Sequence, residues 1–344
     1  MKKIIDYLES KLKKSSQYEL TSEDKLFIEK EGINKFIFQK LSSKKFRKWK
    51  LANECILKIE KAVKISITKK EPLHVVFFQG GYKLWRLPSS PEADWAEFFN
   101  FAYIIEYLSP IAKAYKYGVD LIYYIHTLLM EAHDNLTTEE INIYINSLQT
   151  LINEFNKYLP KKFKIRILKD ADIYPREEYF KRLEEGVNIA KETYKTLTQE
   201  KKDNYHSMGN LNIKWKGKED WSKLSQTERD KKIYRGVLYE MSATSNLPKV
   251  MAIVKGDDKI CLFTNPSPIF IGVGSTKTSI TKYWIGFGVL ESEVGHFYDR
   301  VLSPKQFELA KKIEHKKIIV NLFPLKNFKE IWVYSKRFNF SKQS

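Results

Sequence analysis

LHVVFFQGGYKLWRLPSSPEADWAEFFNFAYII, residues 73–105, decides the reading of the fold. Residues 73–78 are an apolar run rich in β-branched and aromatic side chains, the pattern of a buried strand. Gly80 and Gly81 break it. A loop carrying Tyr82, Lys83, Trp85 and Arg86 then leads to Ser89, Ser90 and Pro91, which predict a helix start with capping serines and a proline in the first turn. Strand, glycine turn, cationic loop and helix is the layout in which α/β proteins bind ligands. The ligand sits beyond a strand's carboxyl end and at a helix N-terminus.

Within the predicted helix, Trp95, Phe98, Phe99, Ala102 and Ile105 recur at three- and four-residue spacing. The neighbouring row reads Asp94, Glu97, Phe101, Ile104 and Leu108. A helix apolar on both rows is largely buried. Asp94 and Glu97 thus lie one turn apart at the mouth of an apolar face, near Lys83 and Arg86. Two readings stay open for them, complementing the helix dipole and transferring protons. Glu92 is read as a dipole partner alone.

Working outward, 344 residues suffice for one large α/β domain with an added helical piece, and 43% hydrophobic residues supply its core. The expected division is a basic helical segment at 1–70 and a catalytic-type α/β domain at 71–344, with a possible mobile insertion at 200–225. Cys55 and Cys261 are too few for a disulfide framework and lack metal-ligand spacing. No apolar stretch is long enough for a membrane span. The expectation is a soluble, cytoplasmic protein with reduced thiols. The net charge is +18, and residues 1–70 hold 19 Lys and Arg against 9 Asp and Glu. Such a bias favours anionic partners.

Residues 21–32 predict a short helix ending at Gly32, and residues 33–68 continue without Gly or Pro as a second. Inside the second, Lys40 to Lys50 is the densest basic run. Phe46 and Trp49 among its cations could stack on bases, which makes nucleic acid a possible partner. More commonly such a run is a solvated helix face with its aromatics turned inward. Strands are predicted at 119–125 and 163–168, and a helix capped by Thr137 lies between them. The order β-α-β-α-β points to a Rossmann-like, mainly parallel sheet with helices on both faces. Residues 206–221 are expected to break the helices around them, as a loop, lid or linker. The last hundred residues are strand-rich, with a hairpin expected around Gly256-Asp257-Asp258.

Gly272 to Ser279 invites a phosphate-loop reading. However, Thr276 precedes Lys277 and an alternating pattern follows, so a nucleoside-triphosphate loop is excluded. A looser anion nest including Lys277 remains open, beside a plain polar turn. The six histidines sit at no ligand spacing, so no metal is expected, and no cofactor is expected. His126, at a strand's carboxyl end, is the one histidine to test as an acid or base, against a structural hydrogen-bonding role. Arg235 and Ser242, in Tyr234-Arg-Gly-Val-Leu-Tyr-Glu-Met-Ser242, close a basic, aromatic helix. There Arg235 could meet a substrate anion or pair with an acid in 175–200.

These elements resemble the isocyanide (isonitrile) synthase family, which includes the dityrosine and pyoverdine-cluster biosynthesis enzymes. In that family a strand ending in phenylalanine leads through a lysine loop to a Pro-Asp-x-Ala-Glu helix start. Phe77-Phe78, Lys83 and Ala93-Asp94-Trp95-Ala96-Glu97 are similar, with Ala93 in place of the proline. The family's Tyr-x-x-Gly turn matches Tyr115 to Gly118, and its Tyr-Arg…Ser segment matches Tyr234-Arg235…Ser242. Two departures stand out. His126-Thr127-Leu128 replaces the family's Ser-Asp-Gly, and Ser242-Ala243-Thr244 replaces Ser-Ile-His. The likeness spans about residues 73–170 and 230–265. It implies carbon–nitrogen bond formation between an amino acid's amine and the carbonyl of a pentulose phosphate, without metal. Asp94, Glu97 and His126 would move protons, and Tyr82, Lys83, Arg86, Arg235, Ser242 and Lys277 would bind substrate. A nucleic-acid-associated protein and a pseudoenzyme of the same fold are the alternatives.

Overall fold

The computed structural model describes residues 2–79, 92–134, 136–216, 221–264, 267–274 and 286–338. Helices α1 (Lys2–Lys13), α2 (Ser22–Leu41) and α3 (Asn53–Lys69) precede strand β1 (Leu73–Gln79). Helix α4 (Trp95–Ala114) leads to β2 (Val119–Ile125), and α5 (Thr127–Asp134) and α6 (Thr138–Asn156) lead to β3 (Phe163–Lys169). Then come α7 (Arg176–Thr196), α8 (Gln199–Lys216), α9 (Gln226–Ser245) and α10 (Pro248–Lys255), before β4 (Lys259–Phe263) and β5 (Ile271–Gly272). The five strands form one sheet in the order β3-β2-β1-β4-β5, and every neighbouring pair is parallel. This is the α/β fold that the strand–helix alternation predicts.

β1 sits mid-sheet because it is apolar on both faces, as a central parallel strand must be. Val75 and Phe77 face α4, α6 and the first three helices, while Val76 and Phe78 face α5, α7, α9 and α10. Helix α4 is buried along its length except at Tyr103, Glu106, Lys113 and Ala114. Each of its enclosed phenylalanines contributes about 1.5–3 kcal/mol of burial. A second sheet explains why both its rows are apolar. β6 (Phe287–Glu293), β7 (His296–Leu302), β8 (His315–Ile319) and β9 (Glu330–Tyr334) form a mixed sheet in the order β7-β6-β9-β8, with helix α11 (Pro304–Ala310) after β7. β6 and β7 cover the side of α4 turned away from β2. Gly288 makes this approach possible, because a Cβ there would collide with the backbone of Trp95 and Ala96. The Trp95 indole N–H donates to the Glu330 carbonyl at 2.8 Å and locks the contact.

Four local expectations differ from the structure. Helix α4 is capped by Asp94, and Ser89, Ser90 and Pro91 lie outside the described residues. The predicted helix over 33–68 is interrupted between Leu41 and Asn53. There the Arg47 guanidinium bonds to the carbonyls of Ser42 and Trp49, and the chain pairs with the edge of the parallel sheet at Val273. Helix α8 runs through 206–216, since Gly209 is where α9 crosses it, a Cβ there lying 3.0 Å from Ile233. Finally, residues 248–255 form α10 with Pro248 at its first position, so the Gly256–Asp258 turn joins a helix to β4. A hairpin would have made β4 antiparallel.

Candidate functional site

Polar side chains gather beyond the carboxyl ends of the parallel strands, one group on each face of the sheet. On the α4 face, the Ala96 N–H donates to Asp94 Oδ1 at 2.6 Å and the Asp94 N–H donates to Glu97 Oε2 at 2.8 Å. This reciprocal capping box satisfies donors that a helix start leaves without partners. Glu97 is wholly buried, and its Oε1 accepts from the Tyr144 hydroxyl at 3.0 Å. Tyr144 in turn accepts from Gln79 Nε2, at the tip of β1, at 2.7 Å. Burial, reinforced by Glu97, pushes the Tyr144 hydroxyl far above its ordinary pKa, so it stays a donor. One turn along α6, Ser147 Oγ accepts from the Ala93 N–H at 2.8 Å and donates to the Tyr144 carbonyl at 2.7 Å. Glu92, expected to serve the helix dipole, lies before the cap. Its carboxylate accepts from the Lys326 N–H at 3.0 Å, tying α4 to the loop ahead of β9.

On the opposite face, His126 follows β2 and Asp170 follows β3. Asp170 is wholly buried and accepts from Thr127 Oγ1 at 2.6 Å, the Leu128 N–H at 2.9 Å and the Ala171 N–H at 2.9 Å. It thereby caps α5 from another segment of the chain. His126 Nδ1 lies 4.0 Å from Asp170 Oδ2, and the imidazole stands edge-on to Tyr124, ring centres 4.7 Å apart.

The other predicted site residues are dispersed. Tyr82, Lys83 and Arg86, like Lys277, lie outside the described residues. Arg235 is exposed on α9, where it donates to the Tyr239 hydroxyl at 3.1 Å, which donates to Glu184 Oε1 at 2.6 Å. Ser242 is fully buried where α9 crosses α7, its hydroxyl donating to the Leu183 carbonyl at 2.6 Å. In the basic run, Phe46 is buried against Tyr103 and Tyr107, and Trp49 covers Gly272. Lys40 pairs with Asp24 and Lys45 with Glu106, so much of that run secures the fold. Among the described residues, no group of three His, Cys, Asp or Glu could hold a metal, and no helix is long and apolar enough to cross a membrane.

Gln79, Tyr144, Ser147 and Asp170 were not singled out from the sequence. Gln79 is the polar residue that closes an apolar run. Tyr144 and Ser147 sit at three-residue spacing on the buried face of α6. Nothing local marks Asp170, whose partners Thr127 and Leu128 come from a segment some forty residues away.

Fold and site together define an α/β protein with a parallel sheet and a polar cluster on each face at its carboxyl edge. No protein-family model matches the chain, and no curated protein sequence is significantly similar to it. Among solved structures, PvcA from Pseudomonas aeruginosa has a similar fold, with a TM-score of 0.65 at 13% identity. The likeness covers 88% of this chain and 100% of that one.

Proposed function

We propose that the chain is an isonitrile-synthase-like biosynthetic enzyme acting on small molecules. Two likenesses support this reading. The motifs at 77–97 and 115–118 resemble the isocyanide synthases, and the fold resembles PvcA, a pyoverdine-cluster protein of that kind, over its whole length. The observation that carries it is the placement of Ala93-Asp94-Trp95-Ala96-Glu97. This segment starts the buried central helix and is held at the carboxyl edge by Gln79, Tyr144 and Ser147.

In the proposed reaction an amino acid's amine adds to the carbonyl of a pentulose phosphate, ribulose 5-phosphate in the family. The carbinolamine loses water, and fragmentation leaves one sugar carbon on nitrogen as the isonitrile. Lys83 and Arg86 would bind the phosphate as fixed cations, with Tyr82 and Lys277 as further contacts. Asp94 would transfer protons and Glu97, both oxygens engaged, would fix its position. Arg235 and Ser242 are occupied in the α7–α9 helix pair, so the proposal does not depend on them.

The test is conversion of a pentulose phosphate labelled with carbon-13 at its carbonyl, with the label sought in an isonitrile. Asp94→Asn keeps a capping oxygen but loses the base, so turnover should fall about 10²–10⁴-fold with little change in thermal midpoint. Lys83→Ala should also lose turnover without unfolding. Full activity in both variants would remove the assignment.

A further inference from the structure

We propose that His126 and Asp170 form an acid–base pair on the α5 face of the sheet. His126 Nε2 is the proton acceptor and Asp170 is the positioning residue. The inference rests on the reading above only in taking the carboxyl edge as the reactive one, and it adds a second proton-transfer group there.

Four observations carry it. First, the Asp170 carboxylate is immobilised, because Thr127, Leu128 and Ala171 all donate to Oδ1. Oδ2 accepts from the Leu129 N–H at 3.4 Å and lies 4.0 Å from His126 Nδ1. Second, His126 Nδ1 is shielded from solvent while the side chain as a whole is 28% exposed. Third, Tyr124 stands at 83° to the imidazole and restricts its rotation. Fourth, the Tyr124 hydroxyl is buried and makes no hydrogen bond. The buried Tyr179 hydroxyl lies close enough to the Asp170 carboxylate for that charge to raise its pKa further. Buried hydroxyls without partners are rare and mark places where a polar group is to be received.

A carboxylate facing Nδ1 favours the tautomer with the proton on that nitrogen, which leaves the lone pair on Nε2. On taking a proton at Nε2 the ring becomes a cation 4.0 Å from Asp170 Oδ2, which stabilises it. Among the described residues, the titratable groups near Asp170 and the two buried tyrosines include Tyr174, just before α7, and Glu240 on α9. Burial pushes Tyr124 and Tyr179 far above the range in which histidine titrates.

The experiment is a pH titration of the full-length, nitrogen-15-labelled protein by long-range proton–nitrogen spectra, with His126 assigned by its loss in His126→Gln. The neutral imidazole should carry its proton on Nδ1. In Asp170→Asn the titration midpoint should drop by about one pH unit or more. A wild-type ring protonated on Nε2, or equal midpoints in the two proteins, overturns the proposal. Should the variant fail to fold, having lost the cap of α5, the wild-type tautomer alone decides. The spectra need no turnover, so a failed isonitrile assay and a failed pairing are separate results.

Discussion

The hydroxyl of Tyr144 joins three parts of the molecule, accepting from Gln79 on β1 and donating to Glu97 on α4. Replacing it with hydrogen removes one buried hydrogen bond from Gln79 and one from Glu97. Tyr144→Phe should therefore cost about 1–3 kcal/mol of stability, read as a lower urea midpoint at an unchanged slope. A loss too small to measure would mean that the contact does not persist in solution. Ser147 acts by the same logic on the Ala93 N–H. The cap of α4 is thus built partly from α6, and the helix start is fixed by tertiary contacts as well as local sequence.

Among the elements, β1, β2 and β3 are linked near their amino ends by a charged row. Asp120 lies 3.2 Å from His74 Nδ1 and accepts from Arg166 Nη2 at 2.9 Å. Burial works against this carboxylate, but the bonds from His74 and Arg166 outweigh it and hold its pKa below the ordinary value. A carboxyl with a depressed folded-state pKa stabilises the fold above its unfolded value, about 3.9. That contribution disappears as pH falls through the folded value. Asp120→Asn should therefore lower the thermal midpoint at pH 7, and the gap to wild type should close below about pH 4. A gap constant from pH 7 to pH 3 would rule the row out as a source of stability. Elsewhere, α7 packs closely on α9 at Gly186, where a Cβ would collide with Ser242 Oγ.

In the whole molecule, the basic first helices share the central core. Ile4, Leu8, Leu12, Ile37 and Leu41 belong to the same apolar cluster as Phe98 and Val333. Tyr7 and Lys11 reach Asp299 on β7 at 2.7 and 2.6 Å, and Lys14 and Lys45 both pair with Glu106 on α4. Heating should therefore unfold residues 1–70 together with the rest, in one transition seen alike by calorimetry and aromatic circular dichroism. A chain lacking those residues should not fold cooperatively, since the face of α4 that carries Tyr103, Tyr107 and Ser109 would be left in water. Two resolved transitions would contradict this.

The sequence by itself determined the parallel α/β sheet, the central place of the strand at 73–79 and the burial of the helix that follows it. Apolar periodicity and glycine breaks act over a few residues and carry that information. Only the tertiary structure decided that Asp94 and Glu97 close a capping box under Tyr144. It also decided that Ser242 lies in a helix crossing, that residues 42–52 are a seam rather than a helix, and that Asp170 faces His126. Each of these depends on a partner from a distant segment. A residue's local pattern is the same whether its hydrogen bond ends on solvent, on substrate or on a neighbouring helix, and packing alone selects among them.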